Sequence, residues 1–226
     1  MAVPLLFLNS QQEEAIRYSK GPSLVIAGPG SGKTRVLTHK IANLVTEEKV
    51  PPQRILAVTF TNKAADEMRH RVSLLLAEEK NIDLKSLWMG TFHSICVKIL
   101  RTDAPLIGIP ANFIIYDDGD SRDLVKAILK EFPAWGERSS PASLLGAISN
   151  AKNELLGPQE YEDLAEGNFQ EMVSRVFTRY QEELKKARAL DFDDLLNEAV
   201  RLFTKSPDAL KKWQEKFSYI LVDEYH

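Results

Sequence analysis

The stretch Leu24-Val25-Ile26-Ala27-Gly28-Pro29-Gly30-Ser31-Gly32-Lys33-Thr34 constrains this chain more than any other. Its apolar start reads as a buried strand. A glycine-rich turn follows, and Gly32-Lys33-Thr34 opens a helical pattern. Strand, loop and helix N-terminus in that order are the parts of a phosphate-binding loop. Backbone N–H groups have to turn inward to cradle a polyphosphate, and only small residues let the main chain come that close. The free N–H groups and the positive dipole end of the following helix add to the anion site. Ala27, Gly28, Pro29, Gly30, Ser31, Gly32, Lys33 and Thr34 are therefore expected around phosphate. Lys33 would reach the β- and γ-phosphates and the Thr34 hydroxyl would hold Mg²⁺. The pattern usually opens on glycine; here Ala27 stands in that place, and alanine is small enough for a strand end. The structural alternative is a glycine-rich turn before an ordinary helix.

Around the loop the chain alternates. Residues 9–20 read as a short helix, with Asn9 or Ser10 as N-cap. Val36, Leu37, Ile41, Leu44 and Val45 recur at helical spacing until Pro51-Pro52. Ile55-Leu56-Ala57-Val58 is a second buried strand, followed by a helix from Asn62 to about residue 79. Leu87-Trp88-Met89 is a third strand, leading at Thr91 into a helix with Ile95, Ile99 and Leu100. Strands alternating with helices imply an α/β fold with a parallel sheet and right-handed crossovers. From about 105 to 189 the pattern turns helical, with only Phe113-Ile114-Ile115-Tyr116 extended. Helices are expected over 117–131, 140–153 and 169–189, punctuated by Gly136 and Gly157-Pro158. Asp191 then opens another helix, and Tyr219-Ile220-Leu221-Val222 is an apolar strand ending on Asp223-Glu224-Tyr225-His226. The expected organisation is a core of residues 1–105 and 190–226 interrupted by a helical insertion over 106–189.

In a parallel sheet, ligands gather at the carboxyl ends of the strands. Asp223, delivered at such an end, is the expected metal ligand beside a phosphate loop. Glu224 is then placed to polarise an attacking water as general base. Composition narrows the setting. The 226 residues suffice for one large domain or a domain with an insertion. No apolar run approaches the roughly 18 residues of a membrane span. Residues 1–7 carry no basic region and no small-residue cleavage site, which argues against a secretory leader. The single cysteine, Cys96, fits a reducing, cytoplasmic setting and sits among apolar neighbours as a structural thiol. A net charge of −3 neither suggests nor excludes a nucleic-acid partner, because a local groove rather than the total decides.

Taken in order, the motifs resemble those of the superfamily 1A (UvrD/PcrA/Rep-like) DNA helicases across almost the whole chain. Leu8-Asn9-Ser10-Gln11-Gln12-Glu13-Glu14-Ala15-Ile16 resembles the family's adenine-reading motif, with Gln12 as the adenine-specific glutamine; an amide offers one donor and one acceptor edge. Ala27 to Thr34 is similar to motif I, and Arg35 resembles a position near the nucleotide. Val58-Thr59-Phe60-Thr61-Asn62-Lys63-Ala64-Ala65 and Gly90-Thr91-Phe92-His93-Ser94 resemble motifs Ia and Ib. These two strings are more specific than the loop, which says only NTPase. Asp191-Phe192-Asp193-Asp194-Leu195-Leu196 resembles the segment that re-enters the core after the insertion, and Leu221-Val222-Asp223-Glu224-Tyr225 resembles motif II. The family usually continues motif II with Gln and Asp, whereas here His226 follows.

The resemblance implies a RecA-like P-loop core split by a helical subdomain, 1B. It implies ATP and Mg²⁺ as cofactors, and single-stranded DNA and single/double-strand junctions as partners. The activity implied is 3′–5′ translocation with duplex unwinding, and no membrane role. Thr59, Phe60, Thr61, Asn62, Thr91 and His93 become DNA-contact candidates. Phe60 can stack on an unpaired base, and hydroxyl and amide groups at strand–helix turns suit phosphate contacts. The same residues also satisfy a structural reading, with Phe60 and Phe92 as core aromatics, His93 buried at a helix start and the threonines as N-caps. Lys126, Lys130, Lys152, Lys185, Lys186 and Arg188 are the basic candidates of the insertion. The family's second RecA-like domain supplies opposing arginines, so this portion alone is expected to hydrolyse ATP barely, if at all. Two other readings share the motifs: the ATPase arm of a RecB/AddA-like helicase–nuclease, and a non-catalytic ATP- or DNA-binding module.

Overall fold

A computed structural model of the chain describes residues 8–79, 82–132 and 139–224. Gly136, Tyr225 and His226 lie outside them. The chain divides into two compact units, residues 1–95 with 211–226 and residues 96–210. Among the described residues no helix is long and apolar enough to cross a membrane.

The first unit is built on a parallel three-stranded sheet. β1 (Ile55–Thr59) is its middle strand, flanked by β2 (Trp88–Thr91), which leads into α4 (Phe92–Asp103), and by β5 (Tyr219–Val222). Every residue of β1 is buried, as a parallel strand covered on both faces has to be. α2 (Lys33–Thr46) and α3 (Asn62–Leu75) cover it, packing Ile41, Leu44, Met68 and Val72 onto Ile55, Ala57 and Met89. Full burial of each such side chain is worth about 1.5–3 kcal/mol. Trp88 meets Trp213 and Phe217 edge to face at 5.3 Å between ring centroids, which fastens β2 at the sheet's margin. The short helix α1 (Ser10–Arg17) opens on a capping box in which Asn9 and Gln12 exchange side-chain and backbone hydrogen bonds.

One expectation fails here. The run before the phosphate loop is not a buried strand. Among the described residues, 24–27 pair with no sheet, and Leu24, Val25 and Ile26 are exposed, Ile26 by 90%. An apolar run signals a wish for burial but does not name a partner. A strand exists only where its N–H and C=O groups are paired, and among the described residues this sheet ends at β2 and β5.

In the second unit, α5 (Asp118–Leu129), α6 (Pro141–Asn153) and α8 (Asn168–Ala187) enclose one core. On α8 the buried Val173, Val176, Phe177, Tyr180 and Leu184 recur at three- and four-residue intervals, the stripe of an amphipathic helix. α7 (Pro158–Leu164) joins α8. β3 (Ile114–Ile115) pairs in parallel with β4 (Ala189–Leu190), where the sequence pattern ran helix to 189. Arg188 ends α8 in the left-handed conformation, φ 53°, and its carbonyl accepts from Ile114 N–H at 2.8 Å. α9 (Phe192–Lys205) packs on the 3-10 turn Ala104–Ile107 and on α6. Cys96 is half-buried, and burial pushes its thiol up to about 11, in keeping with a structural role.

Lys152, a candidate for nucleic-acid contact, is instead the centre of a buried ion cluster. It is 1% exposed. Its ammonium meets Asp191 Oδ2 at 2.6 Å and Asp194 Oδ1 at 2.8 Å. Tyr180 donates its hydroxyl to Asp191 at 2.9 Å, and Gln181 donates its amide to Asp194 at 2.9 Å. Burial, reinforced by the neighbouring Asp191 charge, pushes Asp194 up to about 6. Burial works on Asp191 in the same sense. There, however, the Lys152 charge and hydrogen bonds from Lys152, the Asp194 backbone and Tyr180 outweigh it and hold the carboxyl below its ordinary range.

Candidate functional site

The register of the first sheet brings three strand ends to one level. Thr59 stands opposite Thr91, Val58 opposite Val222, and Asp223 N–H donates to the Val58 carbonyl at 2.9 Å. Phe60, Phe92 and Asp223 follow directly from these ends.

The phosphate loop adopts the backbone its sequence asks for. Gly30 and Gly32 have φ of 75° and 85°, a region side chains rarely enter. A Cβ on Gly32 would also stand 3.1 Å from the Gln12 amide nitrogen. Ser31 closes the turn by donating its hydroxyl to the Gly28 carbonyl at 2.7 Å. α2 begins at Gly32 without a capping side chain, which suits an anion on its first N–H groups. Lys33 Nζ lies 3.0 Å from the Ala27 carbonyl and 3.2 Å from that of Gly28, held over the loop. Pro29 is exposed at the turn and Ala27 is half-buried. Arg35 is half-buried on the first turn of α2, and its carbonyl accepts from Thr38 Oγ1 at 2.9 Å.

The expected metal ligands meet. Thr34 Oγ1 donates to Asp223 Oδ2 at 3.2 Å, bridging 189 residues of chain. Asp223 is 6% exposed, its position fixed by the backbone bond to β1. Two oxygens on neighbouring octahedral positions of Mg²⁺ stand about 3.0 Å apart. The Thr34–Asp223 pair therefore fits that ion. Among the described residues no cluster of three or more His, Cys, Asp or Glu side chains could hold a metal. Glu224 is exposed and stands in the left-handed region at φ 59°.

Gln12 is bound into the loop more firmly than its expected task suggests. Its carbonyl accepts from Asn9 N–H at 3.0 Å and its amide donates to the Ser31 carbonyl at 2.9 Å. One N–H and one lone pair remain for a base.

The DNA-contact candidates separate. Phe60 is 72% exposed, so it is no core aromatic. Asn62 and Lys63 are exposed beside it, and His93 is half-buried. Thr59 is 1% exposed and offers no surface to a strand, because as the last residue of the middle strand it faces the core. Thr61 and Thr91 act as caps: their hydroxyls accept from Ala64 N–H at 3.1 Å and Ser94 N–H at 3.2 Å. A Cβ on Gly90 would lie 2.3 Å from Ser94 Oγ and displace that hydroxyl. Sequence reasoning missed Lys40, a lysine on the buried face of α2. Its place seven residues beyond Lys33, on the same helix face, was the available signal.

Over residues 8–226 the chain matches the family described as UvrD/REP helicase N-terminal domain. It is 49% identical over 218 residues to the ATP-dependent DNA helicases PcrA of Staphylococcus epidermidis and of Bacillus subtilis, and 47% identical to that of Leuconostoc citreum. In each case 96% of this chain aligns with 29% of the relative, so it spans about 29% of the length of these curated proteins.

Proposed function

We propose a function from one premise: the chain belongs to the UvrD/REP helicase family. On this reading it supplies the ATP- and single-stranded-DNA-binding part of a DNA helicase that couples ATP hydrolysis to 3′–5′ translocation and unwinding at single/double-strand junctions. Residues 1–105 and 190–226 act as the first RecA-like core, and 106–189 as its 1B insertion. A second RecA-like domain of the same protein supplies the opposing arginines.

The observation that carries this reading is the 3.2 Å contact between Thr34 and Asp223. A glycine-rich loop and a strand-end acid far apart in sequence converge where a nucleotide's metal belongs. Lys33 and the N–H groups opening α2 bind and orient the phosphates. Thr34 and Asp223 hold Mg²⁺, which when bound neutralises charge on the phosphate oxygens. Glu224 accepts a proton from the attacking water, and Gln12 faces the base. Titration calorimetry with ATP, with and without Mg²⁺, tests the site. Mg²⁺ should tighten ATP binding at least about tenfold in the wild type and hardly at all in Asp223→Asn, the difference of one charge-assisted contact. Equal Mg²⁺ dependence in both proteins would overturn the assignment.

The DNA half of the proposal rests on Phe60, an aromatic ring presented to solvent at a strand end. Base stacking on such a ring contributes about 1–3 kcal/mol. Phe60→Ala should weaken oligo-dT binding roughly 5- to 150-fold in fluorescence anisotropy. Its thermal unfolding should not change, because the side chain packs little. Unaltered anisotropy would remove Phe60 from the track.

A further inference from the structure

α1 has eight residues, too few to hold a helix in water unaided, so its position depends on what grips it. At one end Gln12 donates to Ser31 of the phosphate loop at 2.9 Å. In the middle Ile16 is fully buried. At the other end the Lys40 ammonium donates to the Ile16 carbonyl at 2.7 Å and the Tyr18 carbonyl at 2.5 Å. These belong to the last turn and the C-cap, where a helix leaves carbonyls without intrahelical partners and carries its negative dipole end. Lys40 is 7% exposed. Among the described residues its hydrogen-bond acceptors are these main-chain carbonyls, and the facing charge is that of Glu48. Desolvation lowers its pKa, with Glu48 opposing. Burying a cation is expensive unless its hydrogen bonds are satisfied, and a methionine would fill the space at less cost. The charge is therefore explained by what it grips. α2 thus carries two lysines two turns apart, Lys33 on the phosphate loop and Lys40 on α1.

We propose that Lys40 is a positioning residue for base selection. It fixes α1, and through α1 the Gln12 amide, so that preference for adenine depends on Lys40 while binding of the polyphosphate does not. The inference rests on the reading above, in which Lys33 meets the phosphates and Gln12 the base.

The test compares wild type, Lys40→Met, Lys40→Arg and Lys33→Ala in the 226-residue chain. The probes are ATP, GTP and inorganic tripolyphosphate at equal Mg²⁺, read by titration calorimetry. Wild type should prefer ATP to GTP by about tenfold or more, the range open to a site that hydrogen-bonds its ligand. Lys40→Met should bind the two nucleotides within about twofold of each other and tripolyphosphate as wild type does. Lys40→Arg, which keeps a cation able to bridge two carbonyls, should restore the preference. Should Lys40→Met not fold, Lys40→Gln, too short to reach both carbonyls, gives the same readout. An undiminished ATP preference in the Met or Gln variant would overturn the inference. So would a parallel loss of all three ligands, or a wild type without preference. Tripolyphosphate binding unaffected by Lys33→Ala would instead locate the failure in the phosphate-site reading.

Discussion

Lys152→Met is expected to destabilise the chain by about 3–5 kcal/mol, the usual consequence of removing one partner from a buried ion cluster. Lys152 is shared by Asp191 and Asp194, both nearly closed to solvent. Without it two carboxylates face each other beside neutral donors: Tyr180, Gln181 and backbone N–H groups. The sign of the pH dependence follows. Asp194 is pushed up to about 6, above the roughly 3.9 of a free aspartate. Between those values the folded state binds more protons than the unfolded one, so this group's contribution to stability falls as pH rises from about 4 through 6. Asp191, held low, contributes in the opposite sense: its stabilisation is present above the free value and lost in acid. Removing the lysine takes away what holds Asp191 low and adds to the rise of Asp194. The Met variant's deficit should then be larger at pH 8 than at pH 5 in urea unfolding. A deficit below about 1 kcal/mol, or one equal at both pH values, would mean the cluster is not what secures this unit.

Lys33→Ala is expected to weaken ATP·Mg²⁺ binding about a hundredfold. A hydrogen bond to a charged group contributes about 1.5–3 kcal/mol, and the ammonium is expected at two phosphate groups. Part of that gain is offset, because the ammonium gives up the Ala27 and Gly28 carbonyls it meets here at 3.0 and 3.2 Å. About 2.8 kcal/mol remains, which is two decades in affinity. Lys33 is half-buried at the helix start and outside the sheet's core, so the variant should unfold at the wild-type temperature. Calorimetric titration of both proteins decides the matter, and equal affinities would move the phosphate site elsewhere.

The site was more legible than the sheet that carries it. The loop and the strand-end acid stood out because each calls for a particular residue type, glycine for positive φ and an acid at a strand end, whereas Gln12 was marked only by the family resemblance. Their convergence is visible in the 3.2 Å and 2.9 Å contacts of Thr34 and Gln12. What the sequence could not disclose were questions of partner. Leu24-Val25-Ile26 has the composition of a strand, yet it has no neighbour among the described residues to make it one. Lys152 reads as a solvated cation until Asp191 and Asp194, 39 and 42 positions away, close over it. Thr59 and Thr61 look alike in the string, but Thr59 ends a strand whose every residue is buried, while Thr61 caps a helix and stays exposed. β4 has only two residues, and its pairing with β3 was hidden behind a helical pattern that Arg188 interrupts.

Glu224 follows Asp223 in a left-handed conformation, φ 59°. For a residue with a side chain that conformation costs about 1 kcal/mol or more relative to glycine. Glycine would relieve it, but it carries no carboxylate. The chain therefore keeps a carboxylate at the strand's exit in a conformation that gives up some folding stability.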